Sequence, residues 1–147
     1  MAENPSAHVL IGWKEYVEFP DWGLRHVRAK VDTGARTSAL DTKRYELHKA
    51  ADGSLRARLV LRMRSVKKRV RVIDVPVLGF VEVRSSNGAH EKRPLVETTL
   101  SLGGVIKRVR FTLACRTAMR FRVLLGRTAL APEFFVDVSQ QYLQHRS

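Results

Sequence analysis

The sequence predicts an all-β fold, a small closed barrel of antiparallel strands with short helical segments. Apolar side chains alternate with mostly basic ones over residues 55–63, which is typical of a strand with one buried face. Two turn signals, Asn87-Gly88 and Gly103-Gly104, each lie between two apolar, β-rich runs. Short strands joined by tight turns in this way favour a barrel.

The strand-forming part of the chain lies between residues 55 and 114. The predicted elements follow in this order: strand 55–63, turn 65–68, strand 69–77, strand 77–83, turn 85–88, strand 95–102, the Gly103-Gly104 turn and strand 105–114.

Other segments lack a strand pattern. Residues 37–47 and 129–134 are predicted to be helical or irregular. Residues 1–7 and 139–147 are predicted to be loosely ordered ends of one domain that covers residues 8–138.

The composition indicates a single folded domain. A chain of 147 residues with 44% hydrophobic content is large enough to bury a core. No apolar run reaches the ~20 residues of a membrane span, and the first residues show no secretory signal. Because Cys115 is the sole cysteine, no internal disulfide can form, which favours a reducing, cytoplasmic location.

The triplet Asp32-Thr33-Gly34 carries the residue types of a catalytic turn. The aspartate can activate a water molecule, the Thr hydroxyl can brace the turn, and glycine lets two backbones approach closely. The same three residues also form ordinary turns between strands, so the triplet alone leaves both interpretations open.

About ninety residues later, the apolar run 123–125 ends at Gly126-Arg127-Thr128. The two motifs, in this order, resemble the two halves of the signature of retroviral-type aspartic peptidases. In those enzymes an apolar strand that ends at glycine packs across the loop carrying the aspartate, and a short helical turn follows.

The wider chain is similar to one bacterial family, the retropepsin-like proteins labelled ATP-dependent zinc proteases. These proteins are often encoded near a ligase that adds glutamates to a ribosomal protein. The similarity covers residues 11–138, and its matching segments are IGWKEYV (11–17), KVDTGARTSAL (30–40), VRSSNG (83–88), RPLV (93–96) and LLGRTAL (124–130). It implies a retropepsin-like peptidase domain over residues 8–138, with Gly126 and Arg127 as structural residues.

Catalysis in retropepsins uses two aspartates that share one proton. This chain contains one Asp-Thr-Gly, so the resemblance implies a homodimer in which each chain contributes Asp32. The alternative is a monomer that keeps the fold but works differently or lacks activity. Arg127 is expected to tie the barrel to Glu15 or Asp137 across a subunit contact.

Lys30 and Arg36 suggest an acidic substrate. On a strand, positions 30 and 32 face the same side, so the Lys30 ammonium is expected near the Asp32 carboxylate, as a further catalytic-site residue. Arg36, with Thr37 beside it, is expected to bind substrate carboxylates. The alternative for Lys30 is a structural ion pair with an acid such as Asp21.

The hairpin over residues 84–93 resembles the flap that closes over substrate in retropepsins. The alternative is an ordinary exposed hairpin whose charges keep an edge strand soluble. The candidate substrate-binding residues on it are Arg84, Ser86, Asn87, His90 and Arg93.

The sequence offers little support for the ATP and zinc in the family label. It contains no Gly-rich phosphate loop, no His-Glu-x-x-His and no pair of histidines at i, i+4. Asp41 stands where the family has a histidine, so a metal served by that histidine loses a ligand here. We expect no cofactor and no metal, although zinc held by scattered His and Asp side chains stays an alternative.

The net charge of +13 favours a polyanionic partner. We expect an aspartate-dependent peptidase that cleaves acidic peptides, most plausibly poly-glutamate extensions on a ribosomal protein, with ribosome association and no membrane partner. The alternative is a non-catalytic basic module that binds acidic tails or ribosomal RNA, although no known RNA-binding motif is present.

Overall fold

The computed structural model describes residues 8–62, 70–84, 88–115 and 121–144. The strands are β1 (Val9–Ile11), β2 (Lys14–Phe19), β3 (Leu24–Val31), β4 (Ser38–Asp41), β5 (Arg44–Lys49), β6 (Leu55–Arg62), β7 (Val70–Pro76), β8 (Gly79–Arg84), β9 (His90–Leu102), β10 (Val105–Ala114), β11 (Val123–Leu125) and β12 (Phe134–Val136). A 3-10 turn, Pro20–Trp22, follows β2, and the helix α1 spans Arg127–Leu130. No helix in the described ranges is long and apolar enough to span a membrane.

The strands are arranged in three sheets. The largest has seven strands in the order β10-β4-β11-β3-β2-β9-β8, and β10 also pairs with β9. The link between β2 and β9 is a single pair, Glu18 with Ser101. β5, β6 and β7 form a second sheet, and β1 pairs with β12 in a third.

The all-β prediction is confirmed, and the strands predicted between residues 55 and 114 are present. β9 and β10 pair antiparallel around Gly103 and Gly104, and both glycines have positive φ, as the turn requires. β8 and β9 pair across the Asn-Gly signal, although residues 85–87 and the predicted turn at 65–68 lie outside the described ranges. β9 begins five residues earlier than predicted, at His90.

The prediction of a purely antiparallel arrangement was wrong. β4 pairs parallel with β10, β11 parallel with β3, and β1 parallel with β12. Parallel partners cannot be joined by a tight turn, so they come from distant parts of the chain and leave no local signal.

The prediction for residues 37–47 was also wrong, because this segment forms β4 and the start of β5. β4 lies between β10 and β11, and this pairing overrides a weak local preference for strand. The late helical segment is present but begins at Arg127 rather than at 129, and Phe134 already belongs to β12.

One hydrophobic core joins the large sheet to the second sheet. Ala57, Leu59 and Val75 of the second sheet belong to the same buried cluster as the rings of Phe19 and Phe111. Those two rings meet edge to face with their centroids 5.7 Å apart. The single-core arrangement fits one folding unit.

Glu15 ties the two ends of the chain together. Its side chain is completely buried. The Oε2 atom accepts hydrogen bonds from the backbone N–H groups of Gly12 (2.7 Å) and Leu143 (2.8 Å), and Oε1 accepts one from Gln144 (3.0 Å). Three N–H donors compensate the burial of the carboxylate. Residues 139–144, predicted from the sequence to be loosely ordered, include two of these donors.

Gly12 lets the backbone of the C-terminal segment lie close to the start of β2. A Cβ at this position would lie 2.3 Å from the backbone oxygen of Gln140. That oxygen accepts a hydrogen bond from the Trp13 N–H, and the Tyr142 N–H donates to the oxygen of Lys14. The C-terminal segment is therefore hydrogen-bonded along the start of β2.

Replacing Glu15 with Gln is expected to lower the free energy of unfolding by about 3 kcal/mol. The amide replaces one acceptor oxygen by an NH₂ group, which is itself a donor and cannot accept a hydrogen bond from the backbone N–H groups. Urea unfolding measures this loss. Glu18→Gln, on the exposed face of the same strand, is the matched control and should change stability by less than about 0.5 kcal/mol. Equal effects of the two variants would contradict the proposed role of Glu15.

Asp74 links all three strands of the second sheet. Its Oδ1 accepts a hydrogen bond from Arg56 Nε on β6 (2.5 Å), and its Oδ2 lies 2.6 Å from His48 Nε2 on β5. The hydrogen bond from Arg56, followed by that from His48, holds the pKa of Asp74 below its ordinary value of 3.8. The ionised form of Asp74 is therefore the form that the folded state favours.

Asp74→Asn is expected to destabilise the protein at neutral pH and to lose this effect in acid. A folded-state pKa below the unfolded value adds stability above pH 3.8, and this stability is lost as the pH falls through the folded-state pKa. Urea unfolding of both proteins from neutral pH to about pH 3 measures the difference. Glu46→Gln, on the exposed β5 edge, serves as control, and a difference independent of pH would refute the assignment.

Candidate active site

Asp32 lies in a tight turn directly after β3, at the start of the segment that we call the aspartate loop (residues 32–37). The Asp32 N–H donates to the oxygen of Leu125 at 2.9 Å, and the Ala35 N–H donates to the oxygen of Asp32 at 3.2 Å. The Gly34 N–H donates to the carboxylate Oδ1 at 3.1 Å. Asp32 is half-buried and its carboxylate is oriented by this one hydrogen bond, while Thr33 and Gly34 are exposed.

The segment around Gly126 packs directly on the aspartate loop. β11 runs parallel to β3, so Leu125 lies beside Val31 and the chain reaches the loop at Gly126. A Cβ on Gly126 would lie 2.8 Å from the carbonyl carbon of Thr37 and 2.9 Å from the oxygen of Ala35. Only glycine lets these two backbones come so close.

The helix α1 continues this contact through backbone hydrogen bonds. The Arg127 N–H donates to the oxygen of Ala35 at 2.8 Å, and the Thr128 N–H donates to the oxygen of Arg36 at 3.1 Å. The first turn of α1 thus uses free N–H donors to hold the loop. The order of strand, glycine and helical turn is the one that the resemblance implies.

Two hydroxyl groups brace the loop, and neither belongs to Thr33. Ser38 Oγ accepts from the Gly126 N–H at 2.9 Å, and Thr128 Oγ1 donates to the oxygen of Arg36 at 3.0 Å. The Thr33 hydroxyl is exposed and forms no hydrogen bond within the described ranges. Ser38 and Thr128 both lie in the segments that carry the resemblance, but nothing in their spacing singled them out.

Arg127 contacts the Asp32-Thr33-Gly34 triplet directly. Its Nη1 donates to the backbone oxygen of Thr33 at 3.0 Å. Within the chain it does not pair with Glu15, which is buried among backbone donors, or with Asp137, which accepts hydrogen bonds from Ser139. Arg127 therefore stabilises the Asp-Thr-Gly turn from the side of α1.

Lys30 lies on the exposed face of β3. Its direct neighbour on β2 is another cation, Lys14, whose Nζ lies over the rings of Trp13 and Tyr142. Both Lys30 and Asp32 are described, and no ion pair joins them. Asp21, the alternative partner of Lys30, instead pairs with Arg108 at 2.9 Å.

Arg36 and Thr37 line an open groove of about 520 Å³ next to the aspartate loop. The polar side chains of this arginine groove are Arg36, Thr37, Glu97, Arg108, Arg110 and Thr128. The sequence had assigned the three residues from β9 and β10 to no site, since alternation on a strand shows only that they face outward. Asp32 itself does not line the groove.

The residues predicted on the flap are dispersed along the β8–β9 hairpin. Arg84 and His90 are cross-strand neighbours at its exposed end, and His90 Nδ1 lies 3.4 Å from Glu82 Oε1. Arg93 is buried and donates from Nη2 to Glu91 at 3.3 Å, and its Nε has no hydrogen-bond partner among the described residues. Ser86 and Asn87 lie outside the described ranges. No hydrogen bond joins Arg84, His90 or Arg93 to the aspartate loop.

No group of three metal-ligating side chains occurs in the parts of the chain that the structure describes. Asp41, at the position of the family's histidine, is buried in β4, and its N–H donates to the oxygen of Arg122.

The all-β fold and an aspartate loop held by a strand that is followed by glycine are features of a retropepsin-like protein. A family model described as RimB-like, "Retropepsin-like aspartic endopeptidase RimB", matches residues 10–147. The chain belongs to this RimB-like family.

The chain is also similar to curated relatives and to a solved structure. The chain is 31% identical over 133 residues to a probable alpha-L-glutamate ligase of Shewanella pealeana, and 33% identical over 132 residues to one of Parasynechococcus marenigrum. These alignments cover 90% and 88% of the chain but only 29% and 28% of the relatives, so the chain spans less than a third of their length.

The crystal structure of a Legionella pneumophila protein of unknown function matches with a TM-score of 0.77 at 22% identity. The match covers 95% of this chain and 100% of that one, which establishes a shared fold.

Gly126→Ala is expected to lower the free energy of unfolding by about 1–3 kcal/mol, because the added methyl group meets backbone atoms that cannot rotate away. Gly34→Ala is the matched control in the same loop. Its Cβ would lie 3.3 Å from the Asp32 carboxylate, a side-chain atom that can move, so the loss should be smaller. Thermal or urea unfolding measures both, and a larger loss for Gly34→Ala would contradict this view of Gly126.

Proposed function

We propose that the protein is an aspartic endopeptidase that cleaves acidic peptides, namely poly-glutamate extensions on a ribosomal protein. The observation that carries the proposal is the geometry of the aspartate loop. Asp32 is half-buried, its backbone N–H donates to the oxygen of Leu125, and its carboxylate accepts a hydrogen bond from the Gly34 N–H, in a chain that belongs to the RimB-like family. A carboxylate fixed in this way can accept a proton from a water molecule that attacks a peptide carbonyl.

The proposed catalytic unit is a homodimer with a closed, retropepsin-like barrel in each protomer. Two copies of Asp32 related by a two-fold axis share one proton. One carboxylate takes a proton from the attacking water, and the other donates a proton to the leaving amide nitrogen. The exposure of Thr33 and Gly34 supports this arrangement, since a partner can reach a turn at the surface.

The choice of glutamate rests on charge and on the relatives. The chain carries 27 Lys and Arg residues against 14 Asp and Glu residues, and Lys30 and Arg36 flank the catalytic triplet in sequence. The curated relatives are named for alpha-L-glutamate ligation. We take from that name the chemistry of the polymer, α-linked glutamate, and not the ligase activity. With such a substrate, the proposed location of the protein is the cytoplasm, in association with the ribosome.

The net charge of +13 also favours a second function, non-catalytic binding of acidic tails or ribosomal RNA. The two functions differ in turnover. A binding module holds oligo-glutamate without shortening it, and the loss of the Asp32 charge does not weaken that binding.

Incubation of metal-stripped protein with poly-α-glutamate is expected to yield shortened products in mass spectrometry. Asp32→Asn should lower the rate by about 10²–10⁴-fold, because the amide cannot accept the proton of water. Lys30→Leu should reduce the preference for poly-glutamate over a neutral peptide. Poly-γ-glutamate in a parallel reaction shows which bond is cleaved.

The control for the aspartate substitution is Asp52→Asn, which changes an exposed aspartate in the turn between β5 and β6 and should leave cleavage unchanged. Cleavage by Asp32→Asn at the rate of the parent protein would refute the aspartate mechanism. Tight binding of intact poly-glutamate by both proteins would favour the binding module.

A further inference from the structure

The arginine groove carries a net positive charge beside the aspartate loop. Three guanidinium groups, those of Arg36, Arg108 and Arg110, line it together with the carboxylate of Glu97. The Arg36 guanidinium forms no hydrogen bond or ion pair within the part of the chain that the structure describes. One end of the groove, at Arg36 and Thr128, belongs to the framework that holds Asp32.

The groove already binds carboxylates that belong to the chain itself. Arg108 donates from Nη2 to Glu97 Oε2 at 3.2 Å, and Arg110 donates from Nε to Glu97 Oε1 at 3.3 Å. Arg108 Nη1 also donates to Asp21 Oδ2 at 2.9 Å. These guanidinium groups are therefore oriented for carboxylate oxygens.

The bonds to Glu97 can be exchanged at low cost. Their N···O distances exceed the usual 2.7–2.9 Å of a charge-assisted hydrogen bond. The side chains of Arg108 and Arg110 are 54% and 63% exposed, and that of Glu97, their shared partner, is 29% exposed. Ion pairs between such solvated groups contribute at most about 1 kcal/mol each, so an incoming carboxylate can replace Glu97.

The spacing of the arginines matches an extended acidic polymer. Arg108 and Arg110 lie two positions apart on β10, so their side chains repeat along the strand at about 7 Å. An extended oligo-glutamate presents alternate carboxylates on one face at the same interval. Val81 and Leu95 provide an apolar wall for the methylene groups of the glutamate side chains.

We infer that the arginine groove is a binding site for an extended oligo-glutamate segment, in which substrate carboxylates displace Glu97 from Arg108 and Arg110. The inference rests on the proposed function for the identity of the ligand. It adds specificity residues on β9 and β10, away from the reacting bond. The groove residues Arg36, Thr37, Val81, Leu95, Arg108 and Arg110 include no aromatic side chain on which a nucleic-acid base can stack, which favours a peptide over RNA.

The test measures binding of fluorescently labelled oligo-α-glutamate by anisotropy at physiological ionic strength, in an Asp32→Asn background so that the peptide stays intact. Arg110→Gln should weaken binding about threefold, the effect of losing one solvated charge pair. Glu97→Gln should strengthen binding to a similar extent, because it removes the internal competitor. Thermal unfolding of each variant verifies that it is folded.

Matched controls separate the effect of the groove residues on binding from the effect of the overall net charge. Arg58→Gln and Glu46→Gln make the same changes in net charge on exposed positions of the second sheet. Charges more than about 8 Å from the ligand are screened at this ionic strength, so both controls should bind like the background protein. If Arg58→Gln weakens binding as much as Arg110→Gln does, the groove inference is overturned.

The outcomes distinguish failure of the groove from failure of the proposed function. If the parent protein shortens poly-glutamate while Arg110→Gln and Glu97→Gln bind unchanged, the peptidase stands and the groove inference is overturned. If Arg110→Gln weakens binding and Glu97→Gln strengthens it, but the parent protein does not shorten poly-glutamate, the groove assignment stands without the peptidase. If Arg110→Gln weakens binding of poly-uridylate and not of oligo-glutamate, the groove binds RNA and the inference is overturned.

Discussion

The close backbone approach at Gly126 is the constraint on which the candidate active site depends. The strand before it, β11, pairs with β3 on one side and with β4 on the other, so it fixes both ends of the aspartate loop. The residues after it donate backbone N–H groups to Ala35 and Arg36. A side chain at position 126 would occupy the space in which these bonds form. The position of Asp32 is thus set by a segment about ninety residues away in sequence.

A few acidic side chains connect separate elements of this strongly basic chain. The sequence has about half as many acidic as basic residues, and several of the acidic ones each bind more than one donor at a junction between elements. Glu15 joins the two ends of the chain, Asp74 joins the three strands of the second sheet, and Glu97 joins two arginines in the arginine groove. Glu15 is completely buried among backbone donors, whereas Glu97 is 29% exposed and its partners are two largely exposed arginines. That difference separates a structural carboxylate from one that can give way to a ligand.

Some strands and site residues could be predicted from the sequence, and others could not. β6 to β10 follow from alternation and from the glycine turns, since consecutive antiparallel strands are specified by local sequence. β4 could not be predicted in this way, because its strand conformation comes from being held between β10 and β11. The burial of Arg93 could not be predicted either, because its sequence position indicates a charged flap residue, whereas the fold buries it and leaves its partner Glu91 exposed. Arg108 and Arg110 are recognisable as outward-facing, yet only the fold brings them beside Arg36.

The sequence by itself determined the all-β class, the turn at Asp32 and the motif that ends at Gly126, because each of these depends on residue type and short-range spacing. The tertiary structure alone decided which groups hold the aspartate loop. Ser38 and Thr128 provide the bracing hydroxyls instead of Thr33, and Arg127 binds the Thr33 oxygen. The physical reason is that these bonds join segments brought together by parallel strand pairing. Parallel strands are not connected by a tight turn, so the sequence contains no local signal for the pairing.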